Sequence, residues 1–201
     1  MLTLFHAPFS RSSRIVSLIH EMGIEDRVRI HPVTIRRQDG SGQADPGNPH
    51  PEAKAPALLV GDTLVTESAA VILTLTTMFP GTGIAPNPGD PDYPAYLTWL
   101  FWYGNVVEPV LICRAAGLSH LMLTDTFRGE HELAARLSAA LAKGPWLLGA
   151  RYSAADLLLH SPFAWFPAAT PDDPAIQDWV ARCKDRPAVA RMRAGDTALA
   201  A

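Results

Sequence analysis

Leu2-Thr3-Leu4-Phe5 opens the chain as a short apolar run closed by His6-Ala7-Pro8, the pattern of a buried strand that runs into a loop. From near Ser12 the spacing changes. Ile15, Val16, Leu18, Ile19 and Met22 recur at helical intervals, and Gly23 supplies a residue able to turn left-handed at the helix end. Val28, Ile30 and Val33 then alternate as in a second strand, and residues 36–52, rich in Gly, Pro, Asp and Gln, form a long loop. Pro56-Ala57-Leu58-Leu59-Val60 and Thr63-Leu64-Val65 are two apolar runs joined by Gly61-Asp62, which predicts a hairpin. Thr66-Glu67-Ser68 opens a helix to about Met78, so the order is βαβ, loop, ββα.

Residues 80–92, PGTGIAPNPGDPD, are dense in proline and glycine, and no helix or strand passes through them. Every strong pattern beyond is helical: 93–118, 124–143, 153–165, 174–183 and 187–193. The expected architecture is an α/β domain with a mixed four-stranded sheet over 1–79, a linker over 80–92, and an all-α domain over 93–201.

Hydrophobic residues make up 48% of the 201 and charged residues 18%, the balance of a packed chain without long disordered segments. The formal net charge of -3 gives no global footprint for a nucleic acid. The basic pairs Arg36-Arg37 and Arg191/Arg193 read as solvated surface. No apolar run has the length of a membrane span, and the first residues lack the basic start of a leader, so a cytoplasmic protein is expected. Cys113 and Cys183 belong to no metal or dithiol spacing and are expected to be buried free thiols, with no metal bound.

Chemistry is concentrated in Pro8-Phe9-Ser10-Arg11-Ser12-Ser13-Arg14, where three hydroxyls crowd the start of the first helix. One oxygen suffices to cap a helix, because it satisfies the unpaired amides of the first turn. The others need a second use. No His or Asp partner for a serine nucleophile is placed nearby by any motif. Further on, Ser153-x-x-Asp156 before Leu157-Leu158-Leu159 is a capping box, a folding signal.

The element order, with His50-Pro51-Glu52-Ala53-Lys54-Ala55-Pro56-Ala57-Leu58, Glu67-Ser68-Ala69-Ala70 and the capping box at family-like distances, resembles the glutathione transferases over essentially the whole chain. The resemblance implies a thioredoxin-like first domain, a cis bond before Pro56, and glutathione as co-substrate. A cis X-Pro bond turns the N–H and C=O of Ala55 outward, where the extended peptide can pair with them. Glu67 and Ser68 at a helix N-terminus would take the γ-glutamyl end, a carboxylate with an ammonium. The reading of these residues without the family is a trans strand-starting Pro56 and a plain helix cap. Arg11, His50 and Lys54 complete the implied glutathione contacts. Ala53, where the family carries glycine, and residues 36–48, which have no family register, leave the contacts to the glycyl carboxylate the least determined.

Ser10 stands where the family places the residue facing the glutathione sulfur, with Ser12 and Ser13 as alternates. The loop is similar to that of bacterial and fungal Ser-type cytosolic transferases; Phe5 and His6 stand where a Tyr-type enzyme carries its phenol, and no cysteine precedes residue 113. Lowering a thiol pKa by about two units takes roughly 2.7 kcal/mol of differential stabilisation. A hydroxyl donor and a helix dipole can supply it. Whichever of Ser12 and Ser13 is left over is expected to cap the helix, and Arg14 to sit in a buried ion pair. Phe9, Tyr96 and Tyr103 are the candidates for the electrophile pocket between the domains, although the stripe Tyr96, Trp99, Leu100, Tyr103 also has the spacing of core. The implied protein is a homodimeric transferase conjugating glutathione to small electrophiles, with peroxidase activity as an extension. The alternatives are a non-catalytic binder or scaffold of the same fold, and a glutathione-dependent isomerase or dehalogenase.

Overall fold

β1 (Leu2–His6) buries Leu2, Leu4 and His6 on one face by the period-two alternation of a strand. It is a central strand of a four-stranded sheet of order β2-β1-β3-β4. β2 (Val28–Pro32) runs parallel to it, with Leu4 opposite Ile30, and β3 (Ala57–Val60) antiparallel, with Leu4 opposite Leu58. β4 (Thr63–Thr66) completes the predicted hairpin through Gly61, whose φ of 58° requires a residue at ease in left-handed backbone. The parallel β1–β2 pair needs a crossover, which α1 (Ser13–Met22) provides before Gly23 ends it at φ 63°. α2 (Ser68–Met78) follows the hairpin, so the mixed sheet and the βαβ-ββα order agree with the expectation.

The computed structural model describes residues 2–201. It divides into two compact units, Met1–Thr82 with Pro187–Ala201, and Gly83–Arg186. The expected boundary assigned everything from residue 93 to the helical part. α9 (Pro187–Ala200) instead belongs with the sheet, because it packs along α1 and its Arg191 pairs with Glu25 at 2.7 Å. It also continues seven residues past the expected end at Arg193, with Asp196 buried on it.

The second unit is helical: α3 (Tyr93–Trp102), α4 (Glu108–Ala115), α5 (Leu121–Phe127), α6 (Glu130–Leu141), α7 (Ala154–Trp165) and α8 (Pro174–Lys184). Two long predicted helices are each divided. A wide π turn at Tyr103–Val107 precedes Pro109 and separates α3 from α4, since proline offers no N–H to continue the ladder. Arg128 at φ 63° breaks 124–143, and Glu132 then caps the Gly129 N–H at 3.1 Å to start α6. The capping box of α7 forms as read. Its Asp156 is wholly buried and also accepts from Leu147 N and from Trp179 Nε1, both at 2.9 Å, so the carboxylate gathers a loop and α8 as well as its own helix. Cys183 is buried; Cys113 is partly exposed, not buried as expected.

Candidate active site in the loop after the first strand

The three hydroxyls do not cap α1. Ser12, at the N-cap position, is itself in helical backbone and its side chain accepts from no first-turn amide. Ser12 Oγ turns back to the strand end instead: it accepts from Ala7 N at 3.0 Å, has Ala7 O as an acceptor for its proton at 3.1 Å, and lies 2.8 Å from both His6 Nδ1 and Ser10 Oγ. Ser13 Oγ accepts from Ser10 N at 3.2 Å and donates to Asp196 Oδ2 at 2.6 Å. Both hydroxyls are buried and fully engaged. Ser10 is the half-exposed one; its oxygen accepts from Ser12 N at 3.1 Å.

The partners that the sequence motifs did not supply are therefore present. His6 Nε2 lies 3.0 Å from Asp196 Oδ1, and Asp196 Oδ2 accepts from Phe9 N at 2.7 Å as well as from Ser13. Burial pushes the Asp196 carboxyl up, but hydrogen bonds from His6, Ser13 and the Phe9 amide outweigh it and hold it below the usual carboxylate range. An ionised Asp196 only accepts, so the proton between it and His6 sits on Nε2. Arg37, read as solvated surface, grips the loop from the other side, donating to Pro8 O at 2.7 Å and Phe9 O at 3.2 Å. Phe9 is held between these contacts at φ 53° with its ring 57% exposed.

One signal for His6 was in the sequence. Strand alternation places it on the face of Leu2 and Leu4, and a histidine on a core face needs partners for both nitrogens. Nothing local pointed to Asp196, 190 residues away.

The other candidates fall as follows. Ala55–Pro56 is cis, and Ala55 packs with Ala7 and Val33. Glu67 precedes α2 at φ 68°, ψ 126°, backbone that L-residues seldom adopt, and no side chain caps the first turn of that helix. Ser68 is half-buried at its start. His50 is buried and folds its own loop: its N–H donates to Asn48 Oδ1 at 3.1 Å and its Nδ1 accepts from Glu52 N at 3.1 Å, while Asn48 reaches Lys54 O at 3.0 Å. Desolvation lowers its pKa, opposed by the charges of Glu52 and Glu67. Lys54 is exposed and pairs with Glu52, and Arg11 is exposed. Ala53, in the family's glycine position, has φ 51°, the left-handed backbone that a glycine there would serve. Arg14 is buried. Tyr96 and Tyr103, at 0% and 3% exposure, are core side chains, as the spacing of their stripe allows. Among the described residues no cluster of His, Cys, Asp and Glu is arranged to hold a metal ion, and no helix is long and apolar enough to cross a membrane.

No protein-family model and no curated protein matches the chain. Solved structures do. A glutathione transferase from Methylococcus capsulatus is 22% identical over 98% of this chain and 100% of its own, with a TM-score of 0.78. A glutathione S-transferase from Actinobacillus pleuropneumoniae is 22% identical over 98% of this chain and 93% of its own, also at 0.78. A sphingomonad glutathione S-transferase complexed with glutathione is 24% identical over 97% and 98%, at 0.74. The chain therefore has the fold of the glutathione transferases.

Proposed function

We propose that this protein is a glutathione transferase in which the Ser10 hydroxyl donates to the glutathione thiolate that attacks small hydrophobic electrophiles. The observation that carries this reading is the division of labour among the three serines: Ser12 and Ser13 are buried and bonded to distant parts of the protein, while Ser10 is the least buried and its oxygen touches only Ser12, at the start of α1. Around it the tripeptide has matching groups. Ala55 before the cis bond offers backbone for strand-like pairing, and the uncapped first turn of α2 offers amides to the γ-glutamyl carboxylate, with Glu67 for the ammonium. Lys54 is free to reorient toward the glycyl carboxylate because its present partner is an exposed surface acid. Phe9 presents an apolar ring on the side of the electrophile. The reading includes a homodimer as the acting form, a cytoplasmic location, and peroxidase turnover as an extension of the same thiolate chemistry.

The donor sets the chemistry. Glutathione binds as thiol; once the sulfur loses its proton, a hydrogen bond from Ser10 Oγ and the positive end of α1 favour the anion over the neutral form. The thiolate then attacks the electrophilic carbon, forming the C–S bond as the leaving group departs or the acceptor π bond opens. Titration of wild type and Ser10→Ala with glutathione, by calorimetry with ultraviolet detection of the thiolate, tests it. Wild type should bind and show thiolate near neutral pH, and Ser10→Ala should bind but show little. Absence of binding by wild type would leave a scaffold of this fold as the better reading.

A further inference from the structure

Asp196, His6, Ser12 and Ser10 form one unbroken hydrogen-bonded row: Oδ1 to Nε2 at 3.0 Å, Nδ1 to Oγ at 2.8 Å, Oγ to Oγ at 2.8 Å. Its inner three members are about 1% exposed or less, and its outer member is half-exposed. We propose that this row is a proton relay that takes the thiol proton of the bound substrate into the protein, with His6 as its terminal acceptor. The proposal rests on the reading of Ser10 as the residue facing the sulfur.

The proton inventory supports two directions of the row and no loss of hydrogen bonds between them. With His6 neutral, Asp196 fixes its proton on Nε2, so Nδ1 presents a lone pair to Ser12. The single Ser12 proton has two acceptors in reach, Ala7 O at 3.1 Å and Nδ1 at 2.8 Å; given to the nearer Nδ1, it leaves Ser12 accepting from Ala7 N–H and from the Ser10 hydroxyl. Ser10 in turn accepts from Ser12 N–H and has its second lone pair free for an S–H. Reversal breaks the S–H bond and forms a new O–H on Ser10; the former Ser10 proton passes to Ser12, and the former Ser12 proton forms N–H on Nδ1. The products are a thiolate and an imidazolium beside the Asp196 carboxylate, with charge conserved. In that state Nδ1–H donates to Ser12, Ser12 donates to Ser10, and Ser10 donates outward to the sulfur. Each lone pair used before is used after, and the outward Ser10 proton is the one the thiolate needs. Ser12 thus cannot be read as a helix cap that happens to touch a histidine: its geometry serves both states.

The setting of His6 suits a transient positive charge. Asp196 faces it directly from α9. A cavity of about 400 Å³ beyond it is lined chiefly by apolar groups such as Val16, Ile30 and Leu199, with His20 from α1 and Arg191 from α9 as the other titratable side chains. Those two are already matched to Glu25, at 3.0 and 2.7 Å. α1 also carries the buried Arg14, β2 carries His31 against Phe5, and β3 contributes no ionisable group.

The decisive measurement counts protons. Calorimetry of glutathione binding in buffers of different ionisation enthalpy gives the protons released, ultraviolet absorbance gives the thiolate formed, and histidine side-chain nitrogen NMR gives the charge of His6. For wild type near neutral pH the expected result is thiolate with far fewer than one proton released per thiolate and a neutral His6 that becomes imidazolium on binding. His6→Asn can keep a contact to Ser12 but cannot take the proton. Its thiolate should appear only at higher pH, with about tenfold less thiolate for each unit of upward shift, and with one proton released per thiolate. Asp196→Asn should behave alike, because an amide NH₂ facing Nε2 drives the His6 proton to Nδ1 and removes the accepting lone pair. A full proton released by wild type, or a His6 already charged without glutathione, overturns the relay even though binding and thiolate are intact. Failure of wild type to bind overturns the Ser10 reading and the relay with it, and the heat of binding tells the two failures apart. The wild-type measurements need no variant, so a variant that fails to fold does not remove the test.

Discussion

Replacement of Asp196 by alanine should be among the most costly single changes in the first unit. Three donors converge on this buried carboxylate: His6 Nε2–H, Phe9 N–H and the Ser13 hydroxyl, at 3.0, 2.7 and 2.6 Å. Hydrogen bonds to a charged group are each worth about 1.5–3 kcal/mol, yet they share one desolvation cost and do not add. Leaving a buried donor unsatisfied costs about 1–3 kcal/mol, and here the hydroxyl and the imidazole can rotate or shift a proton while the Phe9 amide cannot. An overall loss of about 3–5 kcal/mol follows, a large share of the roughly 5–15 kcal/mol that holds a typical domain. Asp196→Asn, which keeps volume and two of the three contacts, should lose about 1–3 kcal/mol. Urea unfolding followed by circular dichroism measures both, with a shifted midpoint and an unchanged slope. The pH dependence adds an internal check. Because the folded carboxyl titrates below its ordinary value of 3.8, its contribution is complete above that value and is lost as pH falls through the lower folded one. Wild type should therefore lose its advantage over Asp196→Asn in strong acid. A loss under about 1 kcal/mol for Asp196→Ala at neutral pH would refute the argument that this carboxylate holds the loop.

Three further outcomes are expected. Ala53→Gly should stabilise by about 0.5–1 kcal/mol, since φ 51° suits glycine and the gain exceeds the added freedom of the unfolded chain; the denaturant midpoint reports it. His50, whose folded pKa is lowered by burial, contributes stability that is present above its unfolded pKa and lost as pH falls through the folded value; the melting temperature should drop between about pH 7 and 5, and His50→Gln should flatten that part of the profile. Asp156→Ala, which strips partners from Leu147 N, Ser153 N and Trp179 Nε1 in the second unit, should cost about 4–6 kcal/mol, seen as loss of the folded near-ultraviolet signal of Trp179.

Local patterns were legible wherever one element carried its own instructions. Leu2, Leu4 and the pair Leu58/Val65 gave the sheet, Gly61-Asp62 gave the hairpin, and Ser153-x-x-Asp156 gave the start of α7. The cis bond at Pro56 came from the family resemblance, since strand physics alone favours trans. What escaped was set by distance or by competition between local signals. Asp196 carries no motif, and α9 was expected to stop before it. Its helix runs through Gly195 because packing on α1 outweighs the roughly 1 kcal/mol propensity cost of an interior glycine. Ser12 or Ser13 was expected to cap α1 by residue type, but a buried His6 in need of a partner for Nδ1 competes for the Ser12 hydroxyl and takes it.

The assignment of α9 to the sheet makes the first unit a discontinuous one, interrupted between Thr82 and Pro187 by the whole helical unit. During synthesis the strand, loop and first helix emerge long before the carboxylate that orders them, so the site stays unfinished while more than half of the chain is still to be made. A ribosome that stops before residue 196, or a protease that trims the last turns of α9, leaves a sheet with its loop unanchored and His6 without the carboxylate that faces it. Order in the loop is thus tied to the synthesis of α9, which acts as a keystone in time as well as in space.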